Sequence, residues 1–194
     1  MSQLDTKQRI LQTAAELFAA KGFDTLTMRD IAAACHIKAP SLYNHFKDKQ
    51  ALYQATLQYV FGQQGGELEA CLQAAVPAQQ KLDNFIALAC RQMAGDVIFR
   101  QLFIRELLVP DEAHLQFLAQ VVMADTCRAL HDVFVEINPK CDPHFLTTSL
   151  MALLFFHFQA NPLRPMLPGG SEQAQSTEYL TANIQAMMQN QLQK

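Results

Sequence analysis

The sequence predicts an all-α fold of about nine helices. Apolar residues recur at intervals of three and four almost throughout, the stripe of an amphipathic helix, and strand alternation is nearly absent. Single prolines and the Gly65-Gly66 pair punctuate the helical runs. Half of the residues are apolar and 17% are charged, enough to bury a real core.

The elements follow in order. Ile10, Ala14, Leu17 and Phe18 line one face of a first helix, and Lys21-Gly22-Phe23 ends it with glycine at the left-handed cap position. Thr27, with Asp30 three residues on, reads as a capping box that opens a second helix through Ala34. Cys35-His36-Ile37 forms a turn. A short third helix covers about 38–44, with Pro40 tolerated in its first turn. Asp48 caps a fourth helix that presents Leu52, Thr56, Tyr59 and Val60 inward.

Gln63-Gln64-Gly65-Gly66 is expected to break or kink the pattern, which places a domain junction there and divides the chain into 4–64 and 65–194. Further helices are expected at about 67–75, 78–94, 97–108, 111–137, 143–160 and 172–192. Pro77, Pro110, Asn138-Pro139 and Asp142-Pro143 mark the joints, and Asn161 to Ser171 form a loop.

Composition narrows the function class. Residues 1–49 hold seven Lys or Arg against five acids, and the rest holds eight against thirteen, so a mildly basic end sits on an acidic body. No run of about 18 apolar residues could span a membrane, and Met1 to Lys7 are polar, so a cytoplasmic protein is expected. The five cysteines form no Cys-x-x-Cys pair and read as small core residues. Neither a Gly-rich phosphate loop nor a Gly-x-Ser-x-Gly elbow occurs, so no catalytic residue and no cofactor are expected. His131, one helical turn after Cys127, lacks further clustered ligands, and no metal site is expected either.

Residues 10–52 resemble the DNA-binding domain of the tetracycline-repressor (TetR/AcrR) family. The resemblance rests on Ala14-Ala15-x-Leu17-Phe18, Lys21-Gly22-Phe23, Thr27-x-Arg29-x-Ile31-Ala32 and Pro40-Ser41-Leu42-Tyr43-x-His45-Phe46-x-x-Lys49-x-x-Leu52, about a quarter of the chain. It implies a helix-turn-helix that sets its third helix in the major groove of an operator. Thr27 and the N–H groups beside it would meet a phosphate. Arg29 would reach a guanine edge. Lys38, Ala39, Pro40 and Ser41 would start the recognition helix, where Ala39 and Pro40 offer only apolar contact. Tyr43, His45 and Lys49 match phosphate contacts of the family, and Lys47 would add another. Two positions depart from the pattern. His36 stands where the family turn usually has Gly, and Lys38 stands where it has a Ser or Thr cap.

The resemblance also implies a homodimer, since one such head reads only a few base pairs. The last two long helices would pair with their copies through Leu146, Leu150, Leu153, Tyr179, Leu180, Ile184 and Met187. It implies a cavity for a small hydrophobic effector in the larger domain. Phe99, Phe103, Arg105, Met123, Phe155 and His157 are its candidate lining, with Arg105 and His157 as polar groups inside apolar runs. Against this stands a body that only dimerises or binds proteins, without a ligand.

Overall fold

The computed structural model describes residues 3–108 and 111–193; Pro110, an expected joint, lies outside them. The chain is 79% helical, with no strand among the described residues. Among the described residues eleven α-helices replace the nine or so expected: α1 Gln3–Lys21, α2 Met28–Ala34, α3 Ala39–Tyr43, α4 Lys49–Gln73, α5 Ala78–Gly95, α6 Val97–Leu108, α7 Glu112–Phe117, α8 Ala124–Ile137, α9 Pro143–Gln159, α10 Glu172–Gln175 and α11 Thr177–Leu192.

The excess has local causes. The run expected at 111–137 is interrupted by a π turn at Leu118–Val122, where one wide turn resets the helical register. The run expected at 172–192 is split because Ser176 leaves helical geometry to cap α11, its hydroxyl accepting from the Tyr179 N–H. In the opposite sense, α4 runs through Gln63-Gln64-Gly65-Gly66 without a break, so no separate helix begins at 67. Each glycine costs helix stability on the order of 1 kcal/mol, which twenty-odd other residues in one cooperative helix outweigh.

The chain falls into two compact units, and the cut is not the simple one. Met1–Gln63 pack with Ile98–Val122, while Gln64–Val97 pack with Met123–Lys194. In the first unit Ile10, Ala14 and Phe18 of α1, Ile31 of α2, Leu42 of α3 and Leu52, Tyr53 and Leu57 of α4 are fully buried. Phe18 meets Tyr53 edge-on at 4.7 Å, and Phe61 meets Phe99 of α6 at 4.7 Å. Ile37, in the turn between α2 and α3, is half-buried.

In the second unit α5 packs on α8, α9 and α11. Leu82, Ile86, Leu130, Phe134, Leu150 and Ile184 are its sealed centre. Two bonds tie α11 to its neighbours: Gln185 Nε2 donates to the Asp83 carbonyl at 2.9 Å, and Asn138 Nδ2 donates to the Leu192 carbonyl at 3.0 Å. Pro77, Asn138-Pro139 and Pro143 lie at helix boundaries as expected. Asn161 to Ser171 is a loop carrying one 3-10 turn at Arg164–Met166. Gly170 is obligatory there, because a Cβ would lie 2.6 Å from the Pro165 carbonyl oxygen.

Candidate functional site

The first unit presents the helix-turn-helix. Gly22 ends α1 at φ +82°, its N–H donating to the Phe18 carbonyl at 2.9 Å. Thr27 and Asp30 form the full capping box of α2: the Asp30 N–H donates to Thr27 Oγ1 at 3.2 Å, and the Thr27 N–H donates to Asp30 Oδ2 at 2.9 Å. The Thr27 hydroxyl donates to the same carboxylate at 2.6 Å, so its proton is already engaged and must turn away from Asp30 to meet a phosphate. These bonds, the side-chain one first, hold the Asp30 carboxyl below the usual carboxylate range.

The turn is strained where the sequence departs from the family. His36 adopts φ +56°, the left-handed region that glycine occupies without cost. Lys38 caps α3 in extended geometry with no side-chain bond, and Pro40 sits in the first turn. Leu42 and Phe46 are buried beneath α3. Arg29, Lys38, Pro40, Ser41, Tyr43 and Lys47 are exposed, while Ala39 and His45 are half-covered. Lys47 Nζ lies 3.9 Å from Asp48 Oδ2, an open ion pair that a phosphate could replace.

Lys49 is placed differently. Its ammonium donates to the Phe23 and Leu26 carbonyls at 2.9 and 3.0 Å and lies over the Phe23 ring at 4.2 Å. It thus clamps the segment between α1 and α2, a part that its place in the motif gives no hint of. Arg105 has a similar task, with Nε and Nη2 donating at 2.7 Å each to the Ala19 and Ala20 carbonyls at the end of α1. Those carbonyls have no partner within their helix, so the guanidinium supplies a C-cap.

The neighbouring Glu106 is buried and takes the Tyr53 hydroxyl on Oε1. Its Oε2 accepts no hydrogen bond and lies 3.5 Å from His114 Nδ1. Burial first, then the bond to Glu106, pushes the Tyr53 phenol well above the usual tyrosine range, so it stays a donor. Glu106 follows Arg105 in the same apolar run, and nothing in the sequence pointed to Tyr53 or His114.

The candidate effector residues divide between the units. Phe99 and Phe103 are core residues of the first, lying 4.7 and 6.2 Å from the Phe61 ring centroid. Met123, Phe155 and His157 belong to the second and are half-buried. His157 does not lie in an enclosed chamber. It lines an open groove of about 660 Å³ with Phe145, Leu153, Phe156 and Met187. Partial burial, then the Arg164 charge, lowers its pKa.

The candidate dimer residues divide too. Leu146, Leu150, Leu180 and Ile184 are buried inside the second unit, and Leu153 is half-buried; of the seven only Tyr179 and Met187 are exposed. An all-round apolar helix such as α9 must turn one side inward, and that side holds Leu146, Leu150, Leu154 and Phe158. Its outward side holds Phe145 and Phe156, 62% and 69% exposed. No group of three metal-ligating side chains occurs among the described residues, and no described helix is long and apolar enough to cross a membrane.

Comparison with known proteins places these observations. Residues 10–56 match the family model described as bacterial regulatory proteins, tetR family. The HTH-type transcriptional regulator YerO of Bacillus subtilis (strain 168) is 26% identical over 160 residues, 81% of this chain and 55% of its own length. The biofilm operon icaADBC HTH-type negative transcriptional regulator IcaR of Staphylococcus aureus (strain Newman) is 40% identical over 55 residues, 28% of this chain and 30% of its own. The chain thus spans about half of YerO and a smaller part of IcaR. The structure of AibR in complex with isovaleryl coenzyme A and operator DNA superposes with a TM-score of 0.74 at 18% identity, covering 94% of this chain and 97% of that one. The fold is shared over nearly the whole chain, and residues 10–56 carry the segment described for bacterial regulatory proteins, tetR family.

Proposed function

We propose that this protein is a ligand-responsive, DNA-binding transcriptional repressor that grips a palindromic operator as a homodimer. The observation that carries this reading is the capped α2, short α3 and exposed rim of Arg29, Lys38, Ser41, Tyr43 and Lys47 on a segment of the tetR family. Thr27, Ala39, Pro40 and His45 complete the contact surface. Lys49 acts there indirectly, by holding the approach to α2 in place.

The repressor sign is supported by the negative regulator IcaR, which matches at this end of the chain. Dimerisation is supported by the outward faces of α9 and α11. Phe145, Phe156 and Met187 expose apolar surface that a second copy would cover, alongside Leu153 and Tyr179. A small-molecule effector is supported by the likeness to AibR, whose structure is of a complex with isovaleryl coenzyme A and operator DNA. The effector here would be a small hydrophobic molecule, admitted by the second unit beside Met123 and Phe155, with release as a population shift coupled by about 1–3 kcal/mol.

Fluorescence anisotropy on duplexes tiled across the region upstream of its gene tests the reading. One tile should bind with a Kd on the order of 10⁻⁸ M or better at physiological salt. Lys47→Ala should lower the salt slope by about one on every duplex, and Arg29→Ala should also blunt the preference for that tile. Weak, uniform binding by wild type and variants alike would remove the reading.

A further inference from the structure

We propose that the first unit holds a binding site for a small organic cation, an ammonium or amidinium with N–H donors, at the Tyr53–Glu106–His114 cluster. Glu106 is only 5% exposed, and its Oε2 accepts no hydrogen bond. A buried carboxylate oxygen without a donor is a costly atom to leave so, and a cationic N–H is the group that relieves it best. The cluster borders a cavity of about 420 Å³, within the range that holds small ligands.

The walls suit a cation. The rings of Phe23, Tyr53 and His114 lie within 4.9 to 5.3 Å of one another. Aromatic faces attract positive charge, as the Lys49 ammonium 4.2 Å from the Phe23 centroid shows. Asp24 and Asp111 add two carboxylates to the lining. Two bases also line it, but Arg105 is committed to the Ala19 and Ala20 carbonyls, as Lys49 over Phe23 is to the Phe23 and Leu26 carbonyls, which leaves Lys21 as the uncommitted cation. Three acids against two bases in the lining favour a positive ligand over an anion.

Oε2 is sealed from water, and the ligand nitrogen reaches it by displacing the His114 ring, which stands 3.5 Å away. His114 belongs to the first turn of α7, where its N–H donates to Asp111 Oδ1 at 3.1 Å. The opposite wall, Gly22 to Thr25, is the segment that Lys49 holds ahead of the Thr27 cap. Occupancy therefore bears on the start of α2. That consequence rests on the DNA-binding reading; the binding itself does not.

Isothermal titration of the full chain with benzamidine, and with benzamide as its uncharged counterpart, tests the site. Benzamidine should bind, and benzamide about tenfold or more weaker. Glu106→Gln keeps an acceptor for Tyr53 but removes the charge, and should weaken benzamidine by about tenfold, or 1.4 kcal/mol. Asp24→Asn, at an exposed position, should weaken it by a smaller factor in a chain that folds normally. No benzamidine heat, equal affinity for benzamide, or full affinity in both folded variants would overturn the site. Operator binding by anisotropy separates the two readings. DNA binding without benzamidine binding removes this site alone, and the reverse removes the regulator alone.

Discussion

At the scale of single residues, the side chains that stabilise the first unit are those whose partners are backbone groups at helix ends. Thr27 caps α2, and replacement by alanine strands an orphan N–H, with an expected loss of about 1 kcal/mol. A urea titration that finds Thr27→Ala as stable as wild type would remove the cap from the account. Lys49→Met should cost more, about 2 kcal/mol, because two carbonyls lose a charged donor at once. The same variant at low denaturant should bind DNA with an unchanged salt slope, since the ammonium faces Phe23 and Leu26 rather than the solvent. A slope lowered by about one would instead make Lys49 a phosphate ligand.

His157 gives the pH dependence. Its folded pKa is lowered, so the unfolded chain takes up a proton first as pH falls through the ordinary histidine value of 6.5. Stability should therefore decline below that value and level off once the folded His157 also protonates, with no contribution above it. Denaturation midpoints of His157→Asn between about pH 7.5 and pH 5.5 should drop less than those of wild type. Equal drops would assign the effect elsewhere.

At the scale of elements, α4 is the instructive one. Two adjacent glycines and two glutamines read as a break, yet the helix continues from Lys49 to Gln73. A helix is cooperative, so once its flanks are fixed by burial of Leu52, Leu57 and Leu72, the glycines follow at a cost. A Cβ at Gly65 or Gly66 would meet no atom within 4 Å. Alanine at both positions should raise stability by about 0.5–1 kcal/mol each, read as a higher midpoint in thermal melts. A fall would mean that the helix needs its glycines here.

The ends of α1, α2 and α3 were legible because their signals are local: Gly22 for the left-handed cap, Thr27 with Asp30, Pro40 in a first turn. The strain at His36 was legible for the same reason. The inward sides of α9 and α11 were not, because α9 is apolar all round and carries no periodicity to read. Which apolar residues are core and which are outward, Leu150 against Phe156, is decided by the neighbours α5 and α8.

At the scale of the whole molecule, a DNA-binding head that reads only a few base pairs gains affinity from a second copy. Phe156→Asp places a charge on the most exposed ring of α9 and should give monomers in light scattering, with normal helix content and weak operator binding. A dimer that persists in Phe156→Asp would move the interface off this face. The charge asymmetry works in the same direction, since the basic surplus lies in residues 1–49 and the acidic surplus beyond them.

What the sequence by itself determined is the all-α class, the helix-turn-helix and its exposed basic and aromatic rim, since caps, turns and periodicity depend on residues three or four apart. The tertiary structure alone decided that Arg105 caps α1 from 86 residues away, that Lys49 clamps the approach to α2, and that Tyr53 meets Glu106 across 53 residues. It also placed Ile98–Val122 with the N-terminal helices rather than with the chain around them. The reason is physical: a buried charge requires a partner, but its identity is set by which surfaces pack together, and no local pattern encodes that.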